Sequence, residues 1–383
     1  MKKTLLAAAL ALGFAGVAQA ETSVTLYGVL DGGIGYQQIK GDGFKARKTG
    51  MINGVQNGNR WGLRGTEDLG NGLQVVFQVE SGFDLSTGQS QQGGRLFGRH
   101  ATVGLQSDAW GRLDIGRQTN IGSKYFAAID PFGAGFGQSN LGTTFGSVNT
   151  VRWDNMVMYQ TPNFSGFQFG VGYSFNTDGA QRSSLDVNGV WDLNESDRNR
   201  RGITTGLRYA NGPLAVALSY EQERIGSASG NGLTTPGDDV NVRSWQLGGA
   251  YDFEVVKVHA AFGQTRNGMF GAGVGSPDGN IPVSAAAAFG QLDGLKYNHY
   301  MVGLTAPVGA GKIFGSWQMA DPRSNPDAAP NADLDKMNIY SLGYTYDLSK
   351  RTNLYVFGSY AKDVNFISGV KSTYAGVGMR HRF

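Results

Sequence analysis

The sequence of 383 residues contains no cysteine, and only 10 prolines, four histidines and 16% charged residues. Without Cys there is no disulfide scaffold, no thiolate metal site and no cysteine nucleophile. Scarce Pro and glycines without a period of three exclude a collagen. Beyond residue 20 no apolar run approaches the ~20 residues that a membrane-spanning helix needs. What is abundant is Gly, with 60 residues, more than twice the usual share of ~7%. Each Gly inside a helix costs roughly 1 kcal/mol relative to Ala, so long helices are not expected. Aromatics make up 11% of the chain, too many for a disordered one. The balance points to a β-rich, Gly- and aromatic-rich protein of modest hydrophobicity.

Met1 to Ala20 reads as a secretory signal peptide. Lys2 and Lys3 form its positive start, Leu5 to Val17 its apolar stretch, and Ala18-Gln19-Ala20 a cleavage site before Glu21. Removing it leaves 31 basic against 30 acidic residues. A nucleic-acid partner therefore has no support.

From Ser23 onward, segments alternate between apolar and polar residues. Leu73, Val75, Phe77 and Val79 oppose Gln74, Gln78 and Glu80; Ala101, Val103 and Leu105 oppose His100, Thr102 and Gln106. Sixteen such candidate strands can be traced, the second over Asn57–Glu67. Tight turns such as Asp68-Leu69-Gly70-Asn71, Ser107-Asp108-Ala109-Trp110, Asn211-Gly212-Pro213 and Ser349-Lys350-Arg351 alternate with long polar links, among them 40–56, 84–94 and 119–150. Hairpins that cross a bilayer give this rhythm, with short periplasmic turns and longer external loops. A soluble β-sandwich also alternates, but it needs no such regularity, and a single soluble core rarely exceeds 250–300 residues. Lipid cannot satisfy an open sheet edge, so a sheet that spans it closes on itself. The expectation is an all-β, 16-stranded antiparallel transmembrane β-barrel over residues 21–383. Trp61, Tyr173, Phe175, Tyr220, Trp245, Tyr251, Tyr340 and Tyr355 are candidates for its interfacial aromatics.

Three stretches resemble the general diffusion porins of Gram-negative outer membranes, in their neisserial and betaproteobacterial branch. They are Val24-Thr25-Leu26-Tyr27-Gly28, Arg60-Trp61-Gly62-Leu63-Arg64-Gly65-Thr66-Glu67-Asp68-Leu69-Gly70 and Asp130-Pro131-Phe132-Gly133. The terminal Phe383, sharing parity with Met379 and Val377, is similar to an outer-membrane assembly signal. The resemblance implies a homotrimer in the outer membrane, in contact with its lipid and lipopolysaccharide. Each barrel would pass small hydrophilic solutes and ions, and loop 3 (119–150) would fold inward to narrow the pore.

Constriction arginines of the family match Arg60, Arg117 and Arg152, and Arg99 resembles one from the betaproteobacterial branch. Parity agrees for Arg60, opposite Trp61 and Leu63, and for Arg152, which shares a side with Asp154, Met156 and Met158 and opposes Trp153. Arg117 and Arg99 share parity with apolar residues. A charge facing lipid at the midplane costs ~2–4 kcal/mol, so each must sit at a strand end, at an inward bulge or at a subunit interface. Loop 3 holds one acid, Asp130, and one base, Lys124. Arg64, Glu80, Asp114 and Lys124 are candidate pore-lining residues. With so few carboxylates facing the arginines, the expected pore is anion-preferring. Glu21 and Phe383 would meet where the first and last strands close the barrel.

No catalytic set stands out, and neither a cofactor nor a metal is expected. Gly-rich 133–137 and 271–275 do not lie between a strand and a helix, as a phosphate loop requires. The acidic stretch 192–197 lacks the Gly turn and distal Glu of a calcium loop. Three rival readings stay open: a channel selective for a phosphate-like or carboxylate solute, a barrel hydrolase using His259, and a secreted adhesin.

Overall fold

The computed structural model describes residues 23–180, 199–226, 239–270, 274 and 292–383. The signal segment and Glu21 lie outside the described residues, so the cleavage site and the Glu21–Phe383 pair are not placed. No helix among the described residues is long and apolar enough to cross a membrane, which says nothing of strands.

The described strands form one antiparallel sheet. In chain order they are β1 (Ser23–Gly41), β2 (Phe44–Asn53), β3 (Arg60–Gly70), β4 (Leu73–Gly82), β5 (His100–Ser107), β6 (Gly111–Thr119), β7 (Arg152–Gln160), β8 (Phe167–Ser174) and β9 (Arg201–Asn211). They continue with β10 (Leu214–Gly226), β11 (Asp239–Asp252), β12 (Lys257–Arg266), β13 (Lys296–Val308), β14 (Gly311–Ser324), β15 (Met337–Asp347), β16 (Thr352–Lys362) and β17 (Lys371–Arg382). β1 pairs with β17 and closes the barrel.

Seventeen segments make a barrel of 16 strands because β2 and β3 are one wall strand broken in the middle. β2 pairs with Gly32–Gly41 of β1, and β3 pairs with Ser23–Val29 of the same strand. Residues 54–59 leave the ladder between them, and Asp31 satisfies the freed groups. Its carboxylate accepts the Asn57 amide at 2.6 Å, its own amide donates to Asn59 Oδ1 at 2.6 Å, and its carbonyl accepts the Gly54 amide at 2.9 Å. The sequence reading put residues 40–56 in a polar link. Instead β1 and β2 continue as a paired hairpin. Lys45, Arg47, Lys48 and Thr49 carry no apolar alternation because this part of the strand stands above the apolar band.

The wall is apolar outside and polar inside. On β16, Leu354, Val356 and Tyr360 are exposed, while Asn353, Tyr355, Phe357 and Ser359 face inward and are buried. Leu218, Leu247, Leu304, Leu342 and Val377 extend the outer band, whereas Gln246, Glu221 and Gln318 inside are fully buried. Lipid takes the place of a core for the outer face. Tyr355 departs from the expected girdle: it points inward and donates to Asp31 Oδ1 at 2.7 Å.

The C-terminus completes the seam. Gly28 and Phe383 exchange backbone hydrogen bonds of 3.0 and 3.1 Å. The Phe383 ring lies where a side chain at position 28 would sit, so any larger residue there would have to displace the ring and crowd the Arg60 carbonyl.

Candidate pore constriction

Loop 3 starts with a short helix, α1 (Ile121–Phe126), capped by Asn120, whose Oδ1 accepts the Ser123 amide at 3.0 Å. Its first amides are tied to the wall: Ile121 N donates to Thr204 Oγ1 on β9, and Gly122 N to Glu221 Oε1 on β10, both at 2.9 Å. Ile121, Tyr125, Phe126 and Ile129 are packed with Trp153, Met156 and Met158. The rest of the loop crosses the lumen on a series of wall contacts. His259 on β12 holds the Ile129 carbonyl at 2.8 Å, and a carbonyl only accepts, so the imidazole proton is on Nδ1. Gln318 on β14 donates to the Ser139 carbonyl at 2.7 Å. Gln138 reaches Ser359 on β16 and Ser372 on β17, at 3.1 and 2.7 Å. Ser147 returns to Gln246 on β11 at 3.0 Å. Inward-facing polar residues of seven strands thus hold one loop.

Asp130 belongs to the loop's own architecture. Its carboxylate accepts the amides of Phe132, Ala134 and Leu141 at 2.9, 2.8 and 3.0 Å. Burial pushes its pKa up to about 6 against these three donors. On the loop's other charged residue, Lys124, burial lowers the pKa to about 8, and its ammonium donates to Gln118 Oε1 at 3.0 Å.

Arg60, Arg99 and Arg152 line one cavity of about 380 Å³, together with the strand break at 54–58 and loop 3 residues 133–135. Arg99 stands just before β5, which releases it from the strand's parity. Its Nε donates to Glu80 Oε1 at 2.6 Å; Arg60 lies 3.8 Å from the same oxygen, and Tyr27 donates to Oε2 at 2.9 Å. One carboxylate therefore serves two arginines. Arg152 has no carboxylate partner among the described residues.

Arg117 turns inward at a bulge. The β6–β7 register shifts between Gly116 and Gln118, and Gly116 takes φ +123°, which favours glycine. The guanidinium donates to the Gly98 carbonyl at 2.8 Å and to Asp154 Oδ1 at 2.6 Å, a carboxylate that Arg95 also binds. Its charge is thus paired and it does not line the cavity of the other three. The same bulge, with Asn155 at φ +48°, reverses the alternation of β7. Trp153, expected to oppose Arg152 and face outward, is buried against Gly202 inside the barrel.

Of the other expected lining residues, Arg64 lies over the Tyr27 ring at 5.3 Å, and Asp114 is held by Arg112 through bonds of 2.6 and 2.8 Å. A second basic cavity, of about 300 Å³, lies toward the short turns. Lys257, His259, Lys312, Arg380 and Arg382 line it, with Asn57, Ala127 and Gly133 shared between the two cavities. The sequence reading singled out His259 but did not place Arg380 and Arg382 in the lumen. Their alternation with Met379 and His381 was the available signal.

The comparisons agree with this architecture. Residues 6–365 match the profile of a Gram-negative porin family. An outer membrane porin protein of Bordetella pertussis is 57% identical, and outer membrane porin protein 32 of Delftia acidovorans 31% identical, each over the full length of both chains. The solved structure of an anion-selective porin from Comamonas acidovorans is 27% identical with a TM-score of 0.70, covering 95% of this chain and 100% of that one. A closed 16-stranded wall, polar within and apolar without, that encloses a loop-narrowed aqueous passage belongs to a protein of the Gram-negative porin family, an outer-membrane channel for passive diffusion of hydrophilic solutes.

Proposed function

We propose that this pore prefers anions, that Arg60, Arg99 and Arg152 set the preference, and that the mature chain (21–383) works as a homotrimer. One observation carries the preference: three arginines converge on a cavity whose facing loop has its sole acid, Asp130, turned into its own backbone. Glu80 offsets part of that charge and leaves the cavity net positive. Within a screening length of ~8 Å the arginines act together on a passing ion, and at ~4 Å each pair interacts by about 1 kcal/mol even in bulk water. The anion-selective relative from Comamonas acidovorans supports the reading. No chemical step is part of it: solutes pass unchanged. The homotrimer rests on the family resemblance. The test of selectivity is the reversal potential of single channels across a KCl gradient. Wild type should give the anion sign, and Arg60→Ala a shift toward cations. A cation sign in the wild type refutes the proposal.

A further inference from the structure

The lumen holds two basic cavities in series. The constriction gathers Arg60, Arg99 and Arg152, and Glu80 answers two of them. The second cavity, of about 300 Å³, gathers Lys257, Lys312, Arg380 and Arg382. Among the described residues none of these four forms an ion pair. The cavities adjoin at Asn57, Ala127 and Gly133, and Arg380 fixes that partition by donating to Asn57 Oδ1 at 2.7 Å.

The four cations come from the turn ends of three strands. Lys257 opens β12, Lys312 is second in β14, and Arg382 ends β17. They share the inner face, since Ile313 beside Lys312 and Met379 beside Arg380 are exposed on the outside. The ladder carries them round the wall: Lys257 is opposite Thr305 on β13, Lys312 opposite Thr345 on β15, and Arg380 opposite Asn353 on β16. Closure of the sheet turns this arc inward on one cavity, and loop 3 supplies the facing side between Ala127 and Gly133.

The nearby carboxylates are engaged elsewhere. Asp130, which lines the cavity, accepts three amides of its own loop. Asp31, opposite Arg380, holds residues 54–59 and the Tyr355 hydroxyl. Asp252, opposite Lys257, accepts the Glu254 amide at 2.9 Å. Asp347 acts on Arg380 and Lys312 without pairing with either. His259 is occupied by the Ile129 carbonyl and Thr305 Oγ1, at 2.8 and 3.1 Å. Arg380 Nε is buried without a hydrogen-bond partner, as are the Nε atoms of Arg60 and Arg152 in the constriction. A buried charged donor without an acceptor is costly, and an anion in the cavity supplies one. Coulomb attraction doubles with the charge of the ion, so four unpaired cations hold a divalent anion far more strongly than chloride.

We propose that the cavity of Lys257, Lys312, Arg380 and Arg382 is a binding site for a small oxyanion with two or more charges, of the phosphate and pyrophosphate class. Chloride passes the site, whereas such an oxyanion rests there before or after crossing the partition at Asn57. Ammonium and guanidinium groups reaching in from β12, β14 and β17 meet several oxygens of one ion at once through charge-assisted hydrogen bonds. The site rests on the reading of the pore as anion-preferring and adds to it a class of solute.

The experiment records single channels of the mature protein in planar bilayers in KCl at pH 7. Inorganic pyrophosphate is added stepwise, with acetate at matched ionic strength as the comparison. Pyrophosphate should reduce the chloride conductance saturably, and acetate should not. The variant combining Lys257→Gln and Lys312→Gln should need about tenfold more pyrophosphate for the same block, because two attractive charges are lost; its reversal potential should still have the anion sign. Lys257→Arg with Lys312→Arg should retain the block. Arg60→Ala should shift the reversal potential toward cations and retain the block. A block that survives in the Gln variant and disappears in Arg60→Ala belongs to the constriction and overturns the proposal. An anion sign in KCl without saturable block by pyrophosphate overturns this site alone. A cation sign in the wild type overturns the anion preference and the site with it. Should the double variant fail to fold, Lys312→Gln alone, at an exposed position beside a turn, decides by the weakening of its block.

Discussion

At the scale of single residues, the site depends on which charges are left unpaired. Glu80, Asp114 and Asp154 each hold an arginine, and Asp130 holds backbone amides, so the acids near the passage are largely spent. Lys124 adds a charge that pH can remove. Burial lowers its pKa to about 8, so the ammonium is present below pH 8 and lost above it. Anion preference should therefore weaken between pH 7 and 9. The reversal potential measured at both values checks this, and Lys124→Gln should flatten the change. Arg60, opposite in parity to the exposed Trp61, lies on the inner face beside Arg99 and Arg152. Parity could not resolve Arg117 or Trp153, because a bulge at Gly116 and Asn155 inverts the alternation and leaves no mark in a pattern of period two.

At the scale of elements, loop 3 is the part whose position matters most, and its first turn depends on one buried carboxylate. Glu221 accepts the Gly122 amide at 2.9 Å and hydrogen bonds from Thr204, Ser219 and Gln246. Glu221→Leu would strand these donors, at about 1–3 kcal/mol for each group left unsatisfied. The barrel wall, carried by its own ladder, should persist, while α1 loosens. Single-channel recordings should then show noisier and on average larger conductance, and a conductance trace identical to wild type would remove Glu221 from the tether. The sequence marked loop 3 by its length and by Asp130-Pro131-Phe132-Gly133, but its route across the lumen uses Thr, Glu, Gln, Ser and His side chains scattered over β9 to β17. No local pattern announces such contacts. The break between β2 and β3 escaped for the same reason: Asp31, which holds residues 54–59, lies 23 positions or more upstream of them.

At the scale of the whole molecule, the wall is satisfied only when it closes and when lipid covers its outside. Closure rests on the β1–β17 ladder, which the Gly28–Phe383 exchange completes, and the outer face on Leu218, Leu247, Leu304 and their neighbours. Three such barrels are expected to associate. Chemical cross-linking of detergent-extracted outer membranes should give a ladder ending at three copies, and a ladder that stops at one would refute the homotrimer.

The sequence by itself determined the class of the protein. Period-two alternation, short turns against long links and a terminal Phe follow directly from a strand with lipid on one side and water on the other, so each strand carries that information locally. Tertiary structure decided which of the candidate charges meet. The convergence of Arg60, Arg99 and Arg152, the neutralisation of Arg117 by Asp154 and the inward turn of Asp130's carboxylate all join residues far apart in the chain. Register, bulges and closure bring them together, and these are properties of the assembled sheet.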